Sequence, residues 1–169
     1  MDIMKALLER RSIRKYTNQI IPDDKIKEIL ESAMHAPSAA NGQPWEFVVI
    51  KDKNILNEIT KFHPYSNPLK QADCAIVVCG NLSKEIFKGL WTQDCSAATE
   101  NILLAAHGLG IGSLWLGLYP EMSRVESLKK LINAPENIVP FSIVSLGYPA
   151  EEKSIESRYD EDKVHYDTW

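Results

Sequence analysis

No two cysteines in this chain have CxxC spacing, and their number, three, is odd. The first absence excludes a CxxC redox or zinc motif, and the second argues against a disulfide framework. Cys74 and Cys79 lie in an apolar run and Cys95 in a long helical stretch, so all three read as packed thiols. The four histidines, His35, His63, His107 and His165, are scattered without metal-ligand spacing, and each reads as a surface or packing residue. No apolar stretch is long enough to span a membrane. Met1-Asp2-Ile3-Met4-Lys5 carries an acid early and lacks the apolar core of a signal peptide, so a cytoplasmic protein is expected. Positive charge is short as well: the net charge is -4, and no second basic cluster supports a nucleic-acid surface. A P-loop and a GxSxG elbow are both missing. Gly108-Leu109-Gly110-Ile111-Gly112-Ser113 ends in Ser and follows a helix, so it reads as a helix stop and turn, not a dinucleotide fingerprint. With no Ser/His/Asp or Cys/His constellation and no isolated carboxylate pair, an enzymatic activity here would rest on a bound cofactor.

What is present suits one domain over residues 1–169, with 151–169 as a C-terminal extension. Residues 1–150 hold 16 acids and 16 bases, whereas 151–169 hold seven acids and three bases. Such a tail could be a solvated acidic run. It also carries Tyr159, Val164, Tyr166 and Trp169, and disordered acidic tails are poor in aromatics, so an ordered tail docked on another surface is expected. Helical spacing predicts helices over 4–9, from Pro22-Asp23-Asp24 to near Pro37, over 54–62, over 93–107 and over 125–132. Strands are predicted over 45–50, 74–79, 114–119 and 141–146. They do not alternate in a βαβ rhythm, which favours an α+β domain.

Two segments suggest binding. Arg10-Arg11-Ser12-Ile13-Arg14 concentrates positive charge in an acidic chain. Guanidinium forks grip phosphate in a planar, bidentate way, so the cluster reads as a phosphate clamp or, equally, as a solvated basic patch. Residues 37–44 form a loop stiffened by Pro37 and Pro44, in which Ser38, Asn41 and Gln43 offer donors and acceptors. The loop could recognise the edge of a heterocycle or simply connect a helix to a strand.

Taken in order, Arg10-Arg11-Ser12-Ile13-Arg14-Lys15-Tyr16, Ala36-Pro37-Ser38-Ala39-Ala40-Asn41-Gly42-Gln43-Pro44-Trp45-Glu46-Phe47, Asn101-Ile102-Leu103-Leu104-Ala105-Ala106, Trp115-Leu116-Gly117-Leu118-Tyr119-Pro120 and Arg158-Tyr159-Asp160 resemble the FMN-dependent nitroreductase family. The resemblance runs nearly end to end. It implies a central antiparallel sheet flanked by helices, in a homodimer with non-covalently bound FMN at the interface and a C-terminal arm wrapping the partner subunit. Arg10, Arg11, Ser12 and Arg14 would hold the FMN phosphate and ribityl chain, and Arg158 would return to the same phosphate. Pro37, Ser38, Ala39 and Asn41 would reach the flavin from the partner. Leu116, Gly117 and Leu118 would offer backbone groups to the isoalloxazine edge. NADH or NADPH would be the donor, and nitroaromatics, quinones or free flavins the acceptors, in two half-reactions with no catalytic base. Flavin-dependent reductive dehalogenation and flavin binding without turnover are the alternatives.

Two departures qualify the implication. No acidic side chain stands beside Gly117, so only a peptide N–H could reach the flavin N5. Residues 80–93 are also short where larger relatives insert covering helices, which implies an open pocket with loose substrate selection.

Overall fold

The computed structural model describes residues 2–169. Four strands form one antiparallel sheet: β1 (Trp45–Ile50), β2 (Cys74–Asn81), β3 (Gly112–Gly117) and β4 (Ile138–Gly147), in the order β1-β2-β4-β3. The central pair is buried almost throughout, which is why β2 reads as an unbroken apolar run. Side chains alternate across a strand, so each central strand feeds two cores. Ile76, Val78, Val144 and Leu146 face one, and Ala75, Val77 and Ile143 face the other.

Five helices cover the two faces: α1 (Ile3–Glu9), α2 (Asp23–Met34), α3 (Lys53–Phe62), α4 (Trp91–Gly108) and α5 (Met122–Leu131). Helix α2 contributes Ile26, Ile29 and Ala33 to the first core, beside Cys95, Ala98 and Ile102 of α4. Asp23 and Asp24 in its first turn complement the helix dipole. Helices α3 and α5 cover the second core with Leu56 and Ile59, and with Val125 and Leu128. The thiols of Cys74, Cys79 and Cys95 are all buried, and burial raises their pKa values, to about 12 for Cys74 and Cys79. They pack as neutral side chains. No helix of the described residues is long and apolar enough to cross a membrane.

The α+β reading and the antiparallel sheet match the structure, but some boundaries move. Strand β3 starts and ends two residues before the expected 114–119 segment. Its first residue, Gly112, pairs with Gly147 instead of making a turn, and the N–H groups of Leu118 and Tyr119 both converge on Phe141 O at 3.1 Å as the chain leaves the sheet. Strand β4 extends beyond 141–146 and contains Pro140, which has no N–H to donate. Pro140 sits opposite Cys79, where the β2–β4 register shifts, and the irregularity accommodates it. Helix α5 begins at Met122, before the expected Val125, because the Glu121 carboxylate accepts from Ser123 N–H at its start. Beyond residue 150 the described chain is irregular apart from a short turn, Glu161–Lys163, and Tyr159, Tyr166 and Trp169 stay exposed.

Candidate functional site

The arginine cluster is fixed by a backbone clasp at the open edge of β3. Neighbouring residues of an antiparallel strand turn their hydrogen-bonding groups to opposite sides. Ser113 faces away from β4, where its carbonyl accepts from Ile13 N–H at 2.9 Å and Ser12 pairs with it in a short parallel bridge. Four residues on, Tyr16 pairs with Pro149, while Thr17 N–H donates to Tyr148 O at 2.8 Å and Ala150 N–H to Lys15 O at 2.9 Å. The Tyr16 side chain is buried over Gly147. Its hydroxyl donates to Ile13 O at 2.7 Å and shares a hydrogen bond with Ser145 Oγ at 2.7 Å. Burial pushes its ionisation far up, so the hydroxyl remains a donor. The side chains of Arg10 to Arg14 therefore project from backbone held at both ends.

The same clasp brings the tail back. After Pro149 the chain runs past the cluster, and Arg10, Arg11, Ser12, Arg14, Lys153 and Arg158 line one cleft of about 300 Å³. Among the described residues no carboxylate lines it. Arg10 Nε lies 3.6 Å from Glu100, Arg11 Nη1 donates to Ser154 O, and Arg14 N–H donates to Glu151 Oε1 at 2.6 Å. Glu151 also meets Lys153 at 2.9 Å. The Lys153 ammonium, then the Arg14 N–H, hold its carboxyl below the usual range. Five cations and a hydroxyl converging without a lining acid have the chemistry of a phosphate-dianion site. Lys153 was not among the sequence candidates, because in an acidic tail it resembles one more solvated charge.

A second cleft, of about 500 Å³, shares Arg14 with the first. Its lining includes His63, Tyr65, Trp115, Gly117 and Arg124. His63 is 2% exposed. Its Nδ1 accepts from Tyr65 N–H at 3.3 Å, which leaves the proton on Nε2, and Nε2–H donates to Gly117 O at 2.9 Å. Arg124 Nη1 reaches the same carbonyl at 3.4 Å. Its guanidinium lies over the Tyr65 ring, 5.8 Å from the centroid.

This geometry revises the backbone candidates. Leu118 N–H is donated to Phe141 O, and strand alternation turns Leu116 toward Ile143. Both side chains are buried in the second core. Neither residue has a backbone donor facing the cleft. Gly117 and Trp115 occupy the alternate positions and face the open edge, so Gly117 N–H remains as a donor and Trp115 N–H joins it. His63 had read only as a surface or packing histidine and Trp115 only as part of a motif, and Tyr65 and Arg124 drew no reading, because the three segments that carry these residues lie far apart in sequence with no local pattern to link them.

The 37–44 loop contains the turn Ala39–Asn41 beside the start of α4. Ala39 N–H donates to Asp94 Oδ1 at 2.9 Å, Gln43 N–H to Ser38 Oγ at 3.0 Å, and Gln43 Nε2 to Asn41 Oδ1 at 3.1 Å. These bonds hold Ala40, Asn41 and Gln43 at φ of 48°, 57° and 46°, a region non-glycine residues seldom occupy. The loop is rigid, but it lines neither cleft. Within one chain Arg10, Arg11, Ser12, Arg14, Arg158, Leu116 and Gly117 line the two joined clefts, whereas Leu118, Pro37, Ser38, Ala39 and Asn41 line neither.

The family model described as Nitroreductase family matches residues 7–73 and 64–148. The chain belongs to the nitroreductase family. A Methanothermobacter thermautotrophicus protein, provisionally named NADH dehydrogenase/NAD(P)H nitroreductase, is 45% identical over 169 residues, covering 100% of this chain and 88% of its own length. The solved FMN-dependent nitroreductase of Clostridium difficile R20291 is 31% identical with a TM-score of 0.91, over 98% of this chain and 99% of that one. A nitroreductase of Desulfovibrio desulfuricans, also provisionally named, was solved in complex with FMN; it is 28% identical with a TM-score of 0.86, over 100% of this chain and 98% of that one.

In this nitroreductase-family chain, burial lowers the pKa values of His63 and His107. His107 Nε2 is buried without a hydrogen-bond partner. An unfolded histidine takes up its proton near pH 6.5, so below that pH the unfolded state binds more protons than the folded state. The contribution of both histidines is present above about pH 6.5 and is lost as pH falls toward their lowered folded values. The melting temperature should drop between pH 7 and pH 5.5, and His63→Gln should flatten part of that drop. A profile unchanged by His63→Gln over this range would show that His63 is not held neutral.

Proposed function

We propose that this protein is an FMN-dependent oxidoreductase that passes electrons from NADH or NADPH to small aromatic acceptors such as nitroaromatics, quinones or free flavins. The observation that carries the reading is the pair of clefts joined at Arg14. One end is cationic and free of carboxylates, suited to a phosphate, while the other runs along an open strand edge with an unused N–H at Gly117. Bound FMN would supply the redox chemistry, taking up hydride from the nicotinamide and giving electrons to the acceptor in two half-reactions.

The chain's own part is binding and orientation. Arg10, Arg11, Ser12, Arg14, Lys153 and Arg158 would hold the phosphate and ribityl end. Gly117 N–H would meet the ring edge, its strand kept in place by His63 and by pairing with β4. Pro37, Ser38, Ala39 and Asn41 would complete the flavin site from a second copy, since a rigid loop that lines neither cleft of its own chain is free to line another's. A homodimer would also cover Tyr159, Tyr166 and Trp169, with the arm crossing to the partner beyond Arg158.

The test is anaerobic and spectroscopic. With FMN loaded, NADH or NADPH should bleach the visible flavin band, and a quinone should restore it. The short 80–93 segment favours reduction of more than one acceptor class. A flavin band that persists with both nicotinamides would leave a passive flavin binder.

A further inference from the structure

The second cleft has a charge pattern of its own. Its ionisable lining is Arg14, His63, Tyr65 and Arg124, and no acid is among them. Burial, and then the nearby Arg124 charge, lower the His63 pKa. Arg124 forms no ion pair among the described residues, although the chain as a whole is acidic. Glu121, at the cap of the same helix, is turned onto Ser123 Oγ at 2.9 Å. A guanidinium has five N–H donors. The one hydrogen bond the Arg124 side chain makes among the described residues goes to Gly117 O, and the guanidinium lies over the Tyr65 ring. The remaining donors have no protein acceptor among the described residues. The 37–44 loop, which would close the site from the partner, carries no ionisable side chain either.

A half-exposed guanidinium with free donors beside an aromatic-binding edge is suited to a carboxylate. We propose that Arg124 is a specificity-determining residue, selecting acceptors whose aromatic ring bears a carboxylate by pairing with that group as the ring enters the cleft. The proposal rests on the flavin reading above and names the acceptor class within it. Neutral rings still enter the open pocket, but they forgo the ion pair.

Equilibrium binding tests the proposal. Benzoate and its neutral counterpart benzamide are titrated into oxidised, FMN-loaded protein, and the shift of the visible flavin band is followed. The parent protein should bind benzoate more tightly, with a preference that shrinks as salt is added. Arg124→Gln should weaken benzoate about tenfold and leave benzamide within about twofold. Arg124→Lys should recover part of the loss. FMN retention, measured separately on the same proteins, should not change. Equal affinities of the parent protein for the two probes would overturn the proposal without any variant. So would a benzoate-to-benzamide ratio unaltered by Arg124→Gln. Loss of FMN with that ratio preserved would assign the guanidinium to the cofactor instead. Failure of the parent protein to hold FMN would sink the flavin reading itself, a separately recognisable result.

Discussion

Arg14→Ala should weaken FMN binding by about tenfold or more. Arg14 is the one side chain shared by the cationic cleft and the strand-edge cleft, so it stands where phosphate, ribityl chain and ring must meet. A hydrogen bond to a charged group contributes about 1.5–3 kcal/mol, which corresponds to roughly one to two powers of ten in affinity. The lower end is the better guide here, because Arg14 is exposed and solvent screens it. Its backbone N–H, bonded to Glu151, survives the substitution, so the fold should hold and the loss should appear in binding. Fluorescence titration of FMN into apoprotein measures it. Affinity equal to the parent's would remove Arg14 from the site.

Gly147→Val should destabilise the protein by about 1–3 kcal/mol and weaken FMN binding as well. A Cβ on Gly147 would stand 2.7 Å from Tyr16 Cδ1, closer than packed atoms tolerate. The Tyr16 ring cannot simply swing aside, since its hydroxyl is tied to Ile13 O and Ser145 Oγ. The strain therefore passes into the segment that carries the arginines. For a chain of this size the melting temperature should fall by about 2–4 °C per kcal/mol. Gly108→Ala is the control, because a Cβ there meets nothing within 4 Å. A Gly147→Val protein that melts and binds like the parent would show that the clasp between Tyr16 and the sheet does not govern the arginine cluster.

The parts legible in the sequence were those whose cause is local. Strand β1 follows from Pro44 just before it and its β-rich run, and β2 from an apolar stretch that only a strand covered on both faces needs. The arginine cluster stood out because its charge contradicts its surroundings. The rest depends on pairs distant in the chain. Gly112 looks like turn punctuation, yet a Cβ there would stand 2.9 Å from Ile13 Cγ2, and Ile13 lies there because of the clasp. Pro140 argues against a strand until the register shift opposite it is seen. Which backbone groups of the 115–118 stretch face outward depends on which edge of β3 is open, and the sheet order decides that. His63, just past the end of α3, and Arg124, on α5, meet at one carbonyl from positions far apart in sequence.

The central claim is that the two clefts joined at Arg14 hold FMN. The most direct measurement is the titration of apoprotein with FMN, followed by flavin fluorescence and checked by release on denaturation. Saturation at one FMN per chain, in a yellow protein that gives up free FMN when unfolded, is the result expected. A colourless protein that takes up no FMN at any concentration would contradict it.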